Sequence, residues 1–248
     1  MAAIYVLWWR EVQRYFRSAE QMLVSLMHPA LYLWVLGYGM GPIFAQAGRG
    51  NYLHFVAPGV IAMTVLFTAT LSGMALLLDR QFGFLKETLV APVPRVCVLL
   101  GSILGTATVA LFQGMIMAVM CTIAGFRPDR LSALPAAALV MALTTLLFSS
   151  FGTLVGALMK DSNSFDAVMR LTVLPVFFLS GALFPLERLP PALVFLTRLD
   201  PLSFGVDGLR STLISQSHFG LPLDLTVLVS LTVILIGLGA WRFSHIEV

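Results

Sequence analysis

Residues Val96 to Phe126 read VCVLLGSILGTATVALFQGMIMAVMCTIAGF, 31 residues without an Asp, Glu, Lys or Arg. After the polar break Arg127-Pro128-Asp129-Arg130, Leu131 to Met159 supply another 29 of the same kind. An α-helix rises about 1.5 Å per residue, so roughly 20 apolar residues cross the hydrocarbon core of a bilayer. Both stretches exceed that length. The chain is an all-α polytopic membrane protein, and what it does is done across or within a bilayer.

The same reading extends in both directions. Gln21 to Gly48 is uncharged and holds a first span, about Leu23 to Phe44, closed by the polar turn Gly48-Arg49-Gly50-Asn51. A second span lies near Phe55 to Leu78, and the two long runs hold the third and fourth. Leu171 to Leu186 is short for a fifth unless it borrows from Phe165 onward. The last runs from about Leu223 to Trp241, with Asp224 at its outer end. Between the fifth and sixth, Phe184 to Arg210 carries Pro185, Pro190, Pro191 and Pro201 among apolar residues. That is too broken for a span and too apolar for a free loop, so a re-entrant or interfacial helical hairpin on the outer side is expected.

Composition narrows the function. Hydrophobic residues make up 58% of the 248 and charged residues 11%, which leaves no room for a separate soluble domain. A single membrane domain covering 1–248 is expected. Arg10, Glu11, Arg14, Arg17 and Glu20 interrupt the N-terminus before any long apolar run, unlike a cleaved signal peptide. The small net charge of +3 suits loop arginines and not nucleic acid, and no nucleic-acid partner is expected. With both ends inside, nine Lys and Arg residues fall on the inner side and six on the outer. That bias puts both termini in the cytoplasm.

Catalytic and metal-ligating constellations are thin. His28, His54, His218 and His245 are scattered over separate segments, and Cys97 and Cys121 read as small buried hydrophobes, so no catalytic or metal site is assigned. Asp207 and Arg210, at i and i+3, have the spacing of a structural ion pair. A phosphate-binding loop needs a lysine after glycine and before Ser or Thr. The two lysines stand in Leu85-Lys86-Glu87 and Met159-Lys160-Asp161, so any ATPase must be another polypeptide.

Three local patterns remain. Ile4, Trp8, Val12 and Tyr15 share one helical sector, widened by Tyr5, Trp9 and Phe16, with Arg10, Arg14 and Arg17 opposite. This describes a helix over residues 1–20 lying in the membrane plane, aromatics toward lipid and arginines toward headgroups. Phe82, Leu85 and Leu89 form a stripe within the cytoplasmic segment 79–95, leaving Arg80, Phe84 and Glu87 to face away from the bundle. Gly101-Ser-Ile-Leu-Gly105 and Gly152-Thr-Leu-Val-Gly156 are small-xxx-small patterns that favour close helix contact, within a subunit or between two.

In sequence these stretches resemble the membrane subunits of type-2 ABC exporters, similar to daunorubicin-type drug efflux and nodulation-factor or polysaccharide export permeases. Phe55-Val-Ala-Pro-Gly-Val-Ile-Ala-Met63 is similar to the family's second-span opening. Asp79-Arg80-Gln81-Phe82-Gly83-Phe84-Leu85-Lys86-Glu87, with Ala91-Pro92-Val93-Pro94-Arg95, resembles its cytoplasmic signature. Leu179-Ser-Gly-Ala-Leu-Phe-Pro-Leu186 and Asp200-Pro-Leu-Ser-Phe-Gly-Val-Asp-Gly-Leu-Arg210 resemble its outer signature. The resemblance implies six spans, an N-terminal connecting helix, a permease homodimer in a prokaryotic cytoplasmic membrane, and a separate ATPase subunit that binds ATP and Mg. It implies an ATPase-coupling surface at Asp79, Arg80, Gly83, Phe84, Lys86 and Glu87. It also implies an outer gate over 180–210, at Ser180, Gly181, Phe184, Pro185, Asp207 and Arg210. Substrates of that family include amphiphilic drugs, lipids and lipid-linked glycans. An intramembrane enzyme, or a structural or assembly subunit without transport, are the other classes the residues admit.

Overall fold

The structure, a computed structural model, describes residues 2–46, 51–81, 94–184 and 190–244, and all regular structure among them is helical. The N-terminal helix α1 (Ala2–Arg17) runs into α2 (Ala19–Gly39) and the short α3 (Gly41–Gln46). Next come α4 (Tyr52–Thr70), α5 (Ser72–Gln81), α6 (Arg95–Ile123) and α7 (Leu134–Leu158), the last preceded by a 3₁₀ turn at Leu131–Ala133. The chain ends with α8 (Ser162–Leu179), α9 (Pro191–Leu199), α10 (Pro201–Leu213) and α11 (Leu221–Ser244).

Polar punctuation starts these helices. Asn51, Asp161 and Asp200 each accept a backbone N–H of the following turn, from Leu53, Ser164 and Leu202 at 3.0, 2.8 and 3.0 Å. An N-cap oxygen satisfies a donor that the first turn otherwise leaves open. Pro94 and Pro190 stand immediately before α6 and α9.

Five apolar helical stretches are long enough to cross a membrane: Met22–Gly39, Tyr52–Asp79, Arg95–Ile123, Leu131–Leu158 and Leu221–Arg242. The chain is a multi-pass membrane protein. The expected fifth span differs: α8 has 18 residues but begins inside the charged connection, with Asp166 and Arg170 on it. It includes Phe165 but ends at Leu179, short of the expected Leu186, and is not one of the five apolar stretches. The first expected span is shorter than its sequence reading, because α2 ends at Gly39 and Gly41–Gln46 turns into a separate helix. The second is bent at Leu71, where Thr70 Oγ1 donates back to the carbonyls of Leu66 and Phe67 at 2.8 and 3.2 Å.

The α4–α5 span is the centre of the bundle, with 76% of its most apolar window buried, against 17% for the windows of α2 and α11 at the periphery. Val56, Val60, Ile61, Val65 and Leu66 are sealed on all sides, and Met63, Met117, Met141 and Met169 belong to the same core. Glycines set the closest approaches. A Cβ on Gly73 would fall 1.9 Å from the Gly152 carbonyl oxygen, and one on Gly156 would fall 2.4 Å from that of Gly73. The Gly152–Gly156 pattern therefore joins α7 to α5 within one subunit.

The other small pair, Gly101 and Gly105, receives α1. Cβ atoms there would meet Leu7 and Glu11 at 2.7 and 2.5 Å. This corrects the picture of α1 with its whole aromatic sector toward lipid. Val12 and Tyr15 are buried, Trp8 Nε1 donates to Thr108 Oγ1 at 3.0 Å, and Phe16 meets Phe112 edge-on. Tyr5, Trp9 and Phe16 retain exposed surface. Lipid tails attract apolar rings no better than a helix does, so closeness of packing decides where they go.

Gly73→Leu places a branched side chain where no space exists. It is expected to lower stability by about 3 kcal/mol or more, read as a lower thermal unfolding midpoint of the detergent-solubilised protein. Gly41→Leu, at a glycine with open space around it, is expected to change it little.

Candidate functional site

Two polar regions stand at opposite ends of the α4–α5 span. At its C-terminal end the Asp79 carboxylate meets two arginines of α1, Arg10 Nη2 at 2.6 Å and Arg14 Nη1 at 4.0 Å. Both arginines also hold Glu11, at 3.3 and 2.6 Å. Arg10 and Arg14 are one turn apart, so a single face of α1 presents them to Asp79. Glu11 is nearly sealed, and burial pushes its carboxyl above the ordinary range against the pull of Arg14 and Arg10. Gln81 Nε2 donates to the Lys160 carbonyl at 3.3 Å, joining the end of α5 to the α7–α8 connection.

Of the coupling residues expected from sequence, Asp79 thus faces α1, and Arg80 lies in the last turn of α5. Gly83, Phe84, Lys86 and Glu87 lie outside the described residues. The α1 segment, the end of α5 and the Lys160 connection meet at one end of the bundle. At the other end, Asp129 N donates to Leu213 O at 2.9 Å, Tyr38 OH to Ala124 O at 3.1 Å, and His54 stacks near Phe126.

A residue without a role in the sequence reading ties four helices together. Gln113, fully buried in the middle of α6, donates to Tyr15 OH of α1 and Ser25 Oγ of α2 and accepts from Thr68 Oγ1 of α4. Four helices meet at one carboxamide. Its signal was present: Gln113 is the sole carboxamide in the 31-residue run. A polar side chain at that depth needs partners on other helices.

The second polar region is built around Arg210. From α10 its Nη2 donates to the carbonyl oxygens of Gly181 and Ala182 at 2.8 and 3.3 Å, and its guanidinium lies 4.0 Å from the centre of the Phe55 ring. These carbonyls belong to the turn after α8, where Gly181 has φ +72°. Ser180 shapes that turn, its Oγ donating to Phe177 O at 2.8 Å and accepting from Ala182 N at 3.2 Å. Tyr52 OH reaches Leu183 O at 3.1 Å. The turn also presses on α4, since a Cβ on Gly59 would meet Ala182 O at 2.4 Å.

Asp207 works separately. Its oxygens accept the backbone N–H groups of His218 and Phe219 at 2.7 and 2.8 Å and the Ser217 hydroxyl at 3.1 Å, which fixes the loop entering α11. Asp207 and Arg210 therefore do not close the i, i+3 pair that their spacing suggests, because each finds better-placed backbone partners. Of the outer residues expected from sequence, Ser180, Gly181 and Arg210 come together. Asp207 sits one turn back, Phe184 is exposed, and Pro185 lies outside the described residues. Asp224, fully buried below Gly208, has no hydrogen-bond partner among the described residues for either oxygen.

Arg210→Met removes the donor and leaves two buried carbonyls without it. A loss of about 1–3 kcal/mol is expected, read as a lower unfolding midpoint, while the same change at exposed Arg198 costs little. A pH dependence follows from Asp200, the cap of α10. Burial pushes its carboxyl up to about 7, outweighing the opposing bonds from Leu202 and Ser203. A carboxyl raised in the folded state binds its proton more tightly there than in the unfolded chain. Its contribution is therefore present at low pH and is lost as pH rises through about 7. The unfolding midpoint is expected to fall between about pH 4 and pH 7, from the ordinary carboxyl value to the raised one, and Asp200→Asn, which keeps the cap, is expected to flatten that fall.

Comparison with known proteins matches this architecture to one family. The family model described as ABC-2 type transporter matches residues 2–214. Nodulation protein J of Rhizobium leguminosarum bv. trifolii is 30% identical over 203 residues, 80% of this chain and 76% of that protein. Nodulation protein J of R. leguminosarum bv. viciae is 29% identical over 215 residues, 85% and 82%. The inner membrane transport permease YadH of Escherichia coli K12 is 28% identical over 210 residues, 84% and 81%. The match takes in α1, the four long apolar spans to α7 and the outer network through Arg210, and the chain belongs to the ABC-2 type transporter family as a membrane permease subunit.

Proposed function

We propose that this chain is one half of a permease homodimer that exports an amphiphilic drug, lipid or lipid-linked glycan. The permease is driven by a separate subunit that binds ATP with Mg. Family membership implies an ATP-binding partner, and the permease chain itself carries no ATPase chemistry. The similarity to an inner membrane permease supports a prokaryotic cytoplasmic membrane. In this reading both termini are cytoplasmic, and α8 makes the fifth of six crossings. The α9–α10 pair, within 180–210, re-enters from the outer side.

The Arg10–Asp79 bridge carries the reading. It ties α1, the connecting helix, to the last turn of α5, where the coupling segment 79–95 begins. A motor subunit docking on Arg80, Gly83, Phe84, Lys86 and Glu87 would move α1 and the α4–α5 span as one body. Coupling of this kind requires the motor to bind two permease states unequally. Phe55 and Arg210 lie at the far end of the same span, so the network at Ser180, Gly181 and Arg210, with Asp207, Phe184 and Pro185 around it, is the gate that such a motion opens.

Glu87→Arg is expected to leave the permease in the membrane and to uncouple ATP hydrolysis from transport in vesicles holding both subunits. Asp79→Arg is expected to do the same, and adding Arg10→Glu to restore coupling by re-forming the bridge with reversed charges. Partly exposed pairs contribute only about 0.2–1 kcal/mol to stability, so a loss of coupling is not a loss of fold. Unimpaired transport by Glu87→Arg would overturn the coupling assignment.

A further inference from the structure

We propose that a cavity between α1, α2, the α4–α5 span and α6 binds the head group of a zwitterionic phospholipid; this rests on the reading of α1 as an interfacial helix. The cavity measures about 330 Å³. Packed interiors hold few voids larger than a water molecule. This one has room for about ten waters at about 30 Å³ each and lies within the size range of small-molecule sites, which starts near 300 Å³.

Its lining is two-sided. Glu11 and Arg14 line the cavity, as does the cluster in which Gln113 bonds Tyr15, Ser25 and Thr68. Leu71, Met74, Leu78 and Val109 supply an apolar wall. A ligand that fits must therefore carry polar and apolar parts in sequence, as a phospholipid does from head group through glycerol to acyl chain. The charge pattern selects the head group. Glu11 and Arg14 are the charged residues of the lining and pair at 2.6 Å, so the polar end is neutral overall. A lone anion gains a cation at Arg14 and meets repulsion from Glu11 beside it. A phosphate and an ammonium together match both: the phosphate beside Arg14, the ammonium beside Glu11, an ester oxygen toward the Tyr15 hydroxyl, which accepts from Gln113 and has its own proton to donate.

Position gives the lipid a consequence. One wall is α1, whose Arg10 and Arg14 meet Asp79 of α5, so an occupied cavity braces the helix that links the end of α5 to α6. A head group seated there stiffens the Arg10–Asp79 connection.

The test is lipid retention, which needs neither motor subunit nor transport. The full chain is reconstituted in nanodiscs of phosphatidylethanolamine and phosphatidylglycerol, re-extracted in detergent, and its bound lipid identified by native mass spectrometry. The wild type is expected to retain one phospholipid per chain, phosphatidylethanolamine in preference to phosphatidylglycerol. Ala75→Trp and Thr106→Phe fill the cavity from α5 and from α6, and both are expected to lose it. Leu238→Trp, on the exposed face of α11, keeps it. Equal retention by the filled variants, a cavity holding only water, or a preference for phosphatidylglycerol overturns the proposal. So does displacement by soluble glycerophosphoethanolamine at the concentration where intact lipid competes, since the site would then take a free phosphate ester. Uncoupling results from Glu87→Arg leave this outcome unaffected, so the two readings fail separately.

Discussion

A bilayer interior offers no water to satisfy a polar group, so each one buried there must find its partner within the protein. That constraint orders this structure. Thr64, Thr144, Thr153 and Thr232 turn their hydroxyls back to the carbonyl one turn earlier on their own helices. Gln113 and Arg210 have no such local option, because their groups are too large and carry too many donors. They reach across helices instead, Gln113 to three neighbours and Arg210 to the turn after α8 and the Phe55 ring. Two long polar side chains thus each organise contacts among several helices. Asp224 departs from the pattern, its oxygens buried and without a hydrogen-bond partner among the described residues.

Apolar surface cannot choose partners by the same route, since helix faces and lipid tails are equally oily. Shape chooses. Gly73, Gly152 and Gly156 let α5 and α7 touch backbone to backbone, and Gly101 and Gly105 cut a seat for α1 on α6. Leu23, Val24, Leu31 and Val35, on a face of α2 without such glycines, stay exposed.

How much of this was legible in the residues follows from the same physics. Long uncharged runs declare spans because length and apolarity suffice, and four of the five apolar helices coincide with the expected runs to within a few residues. The bend at Leu71 and the early end of α2 at Gly39 do carry local marks, the back-bonding Thr70 and the stretch Gly39-Met40-Gly41-Pro42, but a count of uncharged residues passes over both. The α1 periodicity was read correctly and its orientation was not: amphipathic spacing gives a face, and only the glycines of α6, 90 residues away, say what that face meets. At the outer site, Asp200, Asp207 and Arg210 stood out as a motif, but their separate partners depend on the turn at Gly181 and the loop before α11. Gln113 was visible as a lone amide in an apolar run; its three partners came from three other segments.

The Arg10–Asp79 bridge and the Arg210 network share the α4–α5 span. Phe55 and Asp79 are 24 residues apart, so at about 1.5 Å per residue the helix carries a displacement across about 36 Å, the depth of a membrane. Whether it acts as one rod depends on the bend at Leu71. A hinge there would let α5 swing without moving Phe55. The close contact of Gly73 with Gly152 and Gly156 opposes that swing, because backbone atoms already in contact cannot slide without separating α5 from α7. In the proposed mechanism the glycines just past the bend therefore turn a hinge into a fixed angle, and a push at Asp79 reaches Arg210 as a tilt of the whole span.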